Sequence, residues 1–294
     1  MMQPLKFTDD LIVKRLRWVM AGAMLFSLFN TLAGQPESFW LNPETAIRGD
    51  GLRIHDPVNH TFEFFLSHGW QPCVAACLIY FALTFVIVSL LPKKAALIAI
   101  FSVIFGHFYG SANWLVVRWH LGFSGVALYG TALSAAIAFA ASPLPANATD
   151  AMARRLRWLM FGVMLMDLLI TLLGQPGSYW LRPYTVHEGN SFWRWVMQQG
   201  WFAYVLGDLS YCLGALLLAS SLPRFFAWIC ILGFIFAHFI GATNWFFYEW
   251  RLGMEAPVIY GIAISALMVS LASPRTRNNA ANGFNATLIP KTCC

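Results

Sequence analysis

Apolar residues run through this chain in eight long stretches, and the short segments between them hold almost all of its charges. A helix needs roughly 17 to 25 mostly apolar residues to cross the hydrocarbon layer of a bilayer, which is about 30 Å thick. The stretches of that length predict eight membrane-spanning helices, at residues 18–34, 72–91, 95–117, 123–142, 158–174, 202–222, 225–248 and 257–273. The predicted fold class is an all-α integral membrane protein. The predicted environment and partner of these helices is the lipid bilayer.

The pattern occurs twice. Residues 15–43 align without a gap with 155–183, and residues 69–143 align in the same way with 200–274. Each copy contains an even number of spans and therefore enters the membrane in the same orientation, so we expect two parallel tandem four-helix repeats related by a pseudo-twofold axis. The predicted domains are a first repeat (1–143), a cytoplasmic linker (144–154), a second repeat (155–274) and a disordered cytoplasmic tail (275–294).

Composition agrees with a membrane protein, and the basic residues predict its orientation. Of the 294 residues, 59% are hydrophobic and only 11% are charged. Lys and Arg in the short loops that flank membrane spans stay on the cytoplasmic side. The distribution of most of the basic residues of this chain therefore predicts that both termini are cytoplasmic. The expected membrane is a bacterial inner membrane. The net charge of +6 follows from this topology, so we expect no nucleic-acid partner.

The opposite, outer side of the bundle is rich in tryptophan. Ten of the thirteen tryptophans fall near it, and they fit either an interfacial belt or an aromatic-lined pocket. The first helix of each copy ends there in Gly-Gln-Pro, which predicts a left-handed glycine cap at Gly34 and at Gly174.

The third helix of each copy combines small and polar residues. Gly106 and Gly110, or an alanine and Gly241 in the second copy, lie one turn apart, which predicts close packing against another helix. His107 and His238 lie beside these small residues. Asn113 and Asn244 follow toward the outer side, and all four polar side chains can also act as interhelical hydrogen-bond partners.

The two copies differ where ionisable residues lie inside the spans. Asp167 and Asp208 of the second copy replace Ser27 and Cys77 of the first. At about 1.5 Å of rise per residue, both carboxylates lie roughly 10 Å below the outer boundary and His238 about 5 Å deeper, so the three can converge. An ionisable residue in a span costs at least about 2.5 kcal/mol on insertion scales and by default faces a partner or a wet cavity. Burial and mutual attraction shift the pKa values of such a group in opposite directions, so it can hold or pass a proton near neutral pH.

The resulting hypothesis is an outward-facing polar pocket for proton- or cation-coupled binding or transport of a small molecule. Asp167 and Asp208 are the predicted proton or cation carriers. The predicted orienting residues are His238, Asn244 and Tyr211. Their counterparts in the first copy are His107, Asn113 and Tyr80. Two alternatives remain open: a structural or assembly subunit with partners in a membrane complex, and a haem- or metal-binding membrane protein. No cofactor can be assigned, and no ATP-binding, hydrolase or dinucleotide motif predicts catalytic residues.

Overall fold

A computed structural model of the chain describes residues 3–48, 61–253 and 255–272. In these ranges the protein is all-helical, as predicted, and contains no β-strand. The α-helices in this part are α1 (Gln3–Ala33), α2 (Thr61–Ser67), α3 (Trp70–Leu90), α4 (Lys93–Asn113), α5 (Gly122–Ala140), α6 (Ala146–Leu173), α7 (Ser191–Gln198), α8 (Trp201–Ser221), α9 (Arg224–Asn244) and α10 (Glu255–Ala272).

Eight of the helices in the described ranges are long and apolar enough to cross a bilayer, which confirms the predicted number of spans. They are α1, α3, α4, α5, α6, α8, α9 and α10. The chain therefore has the build of a multi-pass membrane protein. Helix α6 begins at Ala146, so most of the segment predicted as a linker is helical. The tail 275–294 lies outside the described residues.

The order of elements after residue 146 repeats the order before it. In each half a long helix leads into two 3-10 turns, a short helix, two long helices, a π-helical segment and a last long helix. The 3-10 turns lie at 37–45 and 177–185, and the π-helical segments are Trp114–Arg118 and Trp245–Glu249. We call the end of the bundle that carries these turns and π-helices the tryptophan end.

The last helix of each half packs against the other half. Helix α1 lies against α4 and α6 lies against α9, whereas α5 packs on α9 and α10 packs on α4. Four phenylalanines of α4 and α9 meet in the centre, with ring centroids 4.7 to 4.9 Å apart for Phe105–Phe236, Phe105–Phe239 and Phe108–Phe236. A glycine makes room for these phenylalanines on α5 and another on α10. A Cβ at Gly130 of α5 would meet Phe108, and one at Gly261 of α10 would stand 3.2 Å from Phe105.

The predicted left-handed caps are wrong. Gly174 is right-handed, with φ −77° and ψ −12°, and Gly34 is not among the glycines with positive φ. The indole of Trp245 lies so close to Gly174 that a Cβ there would collide with the ring, and Trp114 covers Gly34 in the same way. Glycine is needed at these helix ends for the approach of a tryptophan rather than for backbone conformation.

A glutamine side chain fixes the loop that follows each of these helix ends. Gln175 donates to the carbonyl of His187 at 2.8 Å and accepts from its backbone N–H at 2.9 Å. Gln35 forms the same pair of hydrogen bonds with Ile47, at 3.0 and 2.9 Å. Each loop is thereby held against the helix that precedes it, at the tryptophan end.

Candidate functional site

Asp167 of α6 and His238 of α9 are in direct contact. His238 Nδ1 lies 2.8 Å from Asp167 Oδ2, at hydrogen-bond distance, and the two side chains are only 12% and 17% exposed. The other carboxylate oxygen, Asp167 Oδ1, is buried and has no hydrogen-bond partner among the described residues. One oxygen of this carboxylate is therefore paired with the imidazole, and the other is buried without a hydrogen bond.

Gly241 makes the contact between these helices sterically feasible. A Cβ built on Gly241 would stand 2.5 Å from Asp167 Oδ2 and 2.7 Å from Oδ1, so the carboxylate lies directly on the α9 backbone. The matching glycine of α4, Gly110, faces Ser27 with a Cβ-to-Oγ distance of 3.6 Å, which is ordinary contact. The small-residue pattern thus provides room for a carboxylate in one half and for a hydroxyl in the other.

Asp208 of α8 completes a cluster of two carboxylates and one imidazole. Its side chain is buried, with the residue 4% exposed, and Cys212 donates an S–H hydrogen bond to Oδ2 at 3.4 Å. Asp208 also interacts electrostatically with His238 and Asp167. We call Asp167, Asp208 and His238 the Asp–His cluster.

Tyr204 of α8 was not predicted as a site residue, yet it lies beside this cluster. Its hydroxyl shares a hydrogen bond with Thr171 and interacts electrostatically with Asp208, Asp167 and Glu188. The aligned residue of the first copy is Cys73. This replacement of a thiol by a phenol was the available signal.

Glu188 is the second residue that the sequence did not reveal. It lies in the loop before α7, where its Oε1 accepts from the N–H of Asn190 at 2.7 Å and its carbonyl accepts from Arg194 Nε at 2.7 Å. Burial raises the pKa of the Glu188 carboxyl, the Asn190 hydrogen bond lowers it, and the nearby charge of Asp167 raises it again. Glu188 therefore extends the acidic group from the helices to the loop at the tryptophan end.

Tyr211 contributes an aromatic wall. Its ring lies 5.8 Å from the rings of His238, Trp193 and Phe234, and Trp193 also meets Tyr204 edge-on at 5.6 Å. The imidazole therefore has Tyr211 of α8 and Phe234 of α9 as ring neighbours, and Trp193 of α7 packs against Tyr211. The sequence hypothesis placed Tyr211 as an orienting residue, and in the structure its ring lies beside the imidazole of His238.

The first half carries the same aromatic surroundings without the carboxylates. His107 packs at 6.0 Å from both Tyr80 and Phe81. Ser27 and Cys77 stand where the second half has its two aspartates. The first half therefore shows that this helix arrangement forms without buried acids.

Asn113 and Asn244 lie together in a different place. Both line one cavity of about 340 Å³ between α4, α5 and α9. Asn244 follows Gly241 by about one helical turn, so this cavity and the Asp–His cluster share helix α9. The structure thus brings the predicted residues into two groups rather than one pocket.

The groups of the cluster can accept and donate protons. A carboxylate hydrogen-bonded to an imidazole can pass a proton across one short contact, and a second carboxylate beside it adds another acceptor. Within the described ranges, no group of three or more His, Cys, Asp or Glu side chains is placed to hold a metal ion.

Comparison of the chain with protein-family profiles, with curated proteins and with solved structures gave no match.

Proposed function

We propose that the chain is an integral membrane protein of two parallel four-helix repeats, in which the second repeat binds or transports a small molecule in step with protonation or cation binding at the Asp–His cluster. The internal sequence repeat, the repeated order of elements and the reciprocal packing of α5 on α9 and α10 on α4 support this arrangement. The distribution of Lys and Arg supports cytoplasmic termini, with the tryptophan end facing outward.

One observation carries the proposal: a partly buried Asp167–His238 pair lies beside a buried Asp208, in a bundle whose other half does without the carboxylates. Each ionisable side chain inside a span costs at least about 2.5 kcal/mol. Ser27 and Cys77 occupy the equivalent positions, so the fold itself does not require that cost. Groups that the fold can omit, and that are costly to bury, support a functional role.

The position of the cluster supports access from the tryptophan end. Glu188 lies in the loop at this end, and Tyr204 interacts with Glu188 as well as with both aspartates. In this proposal a proton or a small cation enters past Glu188 and Tyr204 and reaches the two aspartates. When the cluster takes up a proton, its net negative charge falls, and its attraction for a cation or a cationic ligand falls with it.

The test is native mass spectrometry of the full-length protein, purified in mild detergent at pH 6 and pH 8. We expect a small molecule that is retained by the wild-type protein, with an occupancy that differs between the two pH values. Asp167→Asn and Asp208→Asn are expected to reduce that occupancy roughly tenfold or more, the factor for losing one hydrogen bond to a charged group of about 1.5–3 kcal/mol. Ser27→Ala and Cys77→Ala are matched controls at the equivalent positions and should leave occupancy unchanged.

The other outcomes identify the alternatives. Equal loss of the bound molecule in all four variants would refute specialisation of the second repeat. Failure of both aspartate variants to accumulate in the membrane, together with a co-purifying protein, would instead support a structural subunit of a complex. A Soret band or stoichiometric metal in the purified wild-type protein would support the haem or metal alternative.

A further inference from the structure

Two aligned arginines lie near the end of the bundle opposite the tryptophan end, and we call this end the basic end. Arg17 lies as far before the end of α1 at Ala33 as Arg157 lies before the end of α6 at Leu173. At 1.5 Å of rise per residue, both are about 24 Å from the tryptophan ends of these helices. The hydrocarbon layer is roughly 30 Å thick, so the long arginine side chains reach the level at which lipid phosphate groups begin.

Neither arginine has an anionic partner among the described residues. None of the ion pairs in these ranges includes Arg17 or Arg157, and both residues are half-buried. Arg157 Nη1 donates to the hydroxyl of Ser220 of α8 at an exposed position, and Arg17 Nε is buried without a hydrogen bond. A guanidinium has five N–H donors, so each of these two groups retains several for another acceptor.

The neighbouring arginines on the same two helices have a different role. The guanidinium of Arg15 lies 5.9 Å from the centre of the Phe139 ring of α5. The aligned Arg155 donates to the carbonyl of Leu271 of α10 at 3.1 Å. These contacts tie the first long helix of each half to the last one, whereas the described contact of Arg157 is with α8.

The surface beside both sites is apolar and faces outward. The tryptophans that follow the two arginines, Trp18 and Trp158, are each 65% exposed. The Trp18 ring lies 5.5 Å from that of Phe85 on α3, and the same ends of α3 and α8 expose Leu90 and Leu217. In a membrane-spanning bundle such a surface contacts lipid, and tryptophan is typical of the boundary between hydrocarbon and headgroups.

An anionic phospholipid matches this combination of groups. A phosphate accepts two parallel N–H bonds from a guanidinium, and basic groups beside membrane helices bind anionic headgroups. Acyl chains of the same molecule cover the exposed indole and leucine side chains. A free anion in water would satisfy the guanidinium but would leave this apolar surface without a partner.

We propose that each half binds one anionic phospholipid at the basic end, with its headgroup on Arg17 in the first half and on Arg157 in the second. Its acyl chains lie along α1 and α3, or along α6 and α8. This site goes beyond the proposed function, since it lies toward the opposite end of the bundle from the Asp–His cluster and does not depend on that cluster.

Native mass spectrometry of the full-length, delipidated protein in mild detergent tests the proposal. Phosphatidylglycerol and phosphatidylcholine with identical acyl chains are titrated separately, and the spectra give the number and the affinity of the lipids retained. We expect two molecules of phosphatidylglycerol, bound roughly fivefold more tightly than phosphatidylcholine, the effect of one basic residue near a membrane surface.

Variants of the arginines test the two positions. Arg17→Gln and Arg157→Gln should each reduce the number of tightly bound phosphatidylglycerol molecules from two to one, and the double variant should retain none. The lipid kept by the other half shows that each single variant is folded. Lys14→Gln and Arg154→Gln are the matched controls, because these aligned residues are exposed and lie about one turn earlier on the same helices. They remove the same charge and should leave both lipids bound.

Three results would overturn the proposal. Equal affinity for the two lipids would exclude recognition of an anionic headgroup. Equal loss of lipid in the control and arginine variants is expected for diffuse attraction to the basic end, not for a site. Displacement of the lipid by inorganic phosphate alone would assign the guanidinium groups to a free anion.

Discussion

The contact between Asp167 and His238 can be measured as a coupling free energy. At 2.8 Å and an effective dielectric constant of about 20, two unit charges attract by about 6 kcal/mol before the loss of hydration is subtracted. If the imidazole is neutral, a hydrogen bond to the carboxylate is still worth about 1.5–3 kcal/mol. Both limits lead us to expect a net coupling of about 2 kcal/mol in a double-mutant cycle.

The cycle uses replacements that keep the shape of the site. Asp167→Ser introduces the residue type found at the aligned position Ser27, and His238→Phe retains a ring between Tyr211 and Phe234. The free energy of unfolding of the wild-type protein, both single variants and the double variant is obtained from SDS titrations in mixed micelles, followed by tryptophan fluorescence.

The first half provides the control cycle. Ser27→Ala and His107→Phe remove the aligned side chains, and His107 has ring contacts with Tyr80 and Phe81 rather than a carboxylate partner. The control coupling should be below about 0.5 kcal/mol, the usual error of additivity. A coupling for Asp167 and His238 that is no larger than this control would refute the assignment of the pair as a stabilising, charge-assisted contact.

Three further predictions test neighbouring features. Gly241→Ala should lower the free energy of unfolding by about 1–3 kcal/mol, because the new Cβ would stand 2.5 Å from a carboxylate oxygen of Asp167. Gly110→Ala, the matched control, should cost little. Equal losses of stability in SDS titrations would contradict the predicted difference. Burial raises the pKa of Glu188, so the native state loses stability as the pH rises from the pKa of the unfolded chain to the pKa of the native protein. Melting curves of Glu188→Gln should not show this loss of stability with pH. Identical pH profiles for the two proteins would contradict the prediction. Gln175→Ala removes two hydrogen bonds, at 2.8 and 2.9 Å, so it should lower the free energy of unfolding by about 1–3 kcal/mol and speed amide hydrogen exchange in residues 177–187. Gln35→Ala is the parallel variant in the first half. Unchanged exchange would argue that the glutamine side chain does not hold the loop.

Hydropathy predicted the spans well because length and apolar content decide whether a helix can cross a bilayer. Counting residues along the helices placed His238 about 5 Å below Asp167. In the structure the two side chains meet, because Gly241 lets α6 and α9 approach closely. Residue counting gives positions along each helix, but it contains neither the crossing of helices nor the reach of side chains.

The features that the sequence did not predict arise from packing. The π-helical segments after Asn113 and Asn244 and the tryptophans on Gly34 and Gly174 involve contacts between distant parts of the chain, for which a local pattern carries no signal. Tyr204 is different, since its replacement of a cysteine was visible in the alignment of the two copies.

The exchange of last helices between the halves has a consequence for biosynthesis. Helix α5 packs against α9, yet roughly 80 residues separate the end of one from the start of the other, or about 4 to 16 seconds of translation. During that interval the face of α5 that holds Gly130 and Ser134 lacks its native neighbours Phe236 and Gly233, and it must rest against lipid or the insertion machinery. The first four spans are therefore not an independent folding unit. Nascent chains that stop before α9 lack the partner of α5, so quality control can recognise them by a helix that never becomes buried.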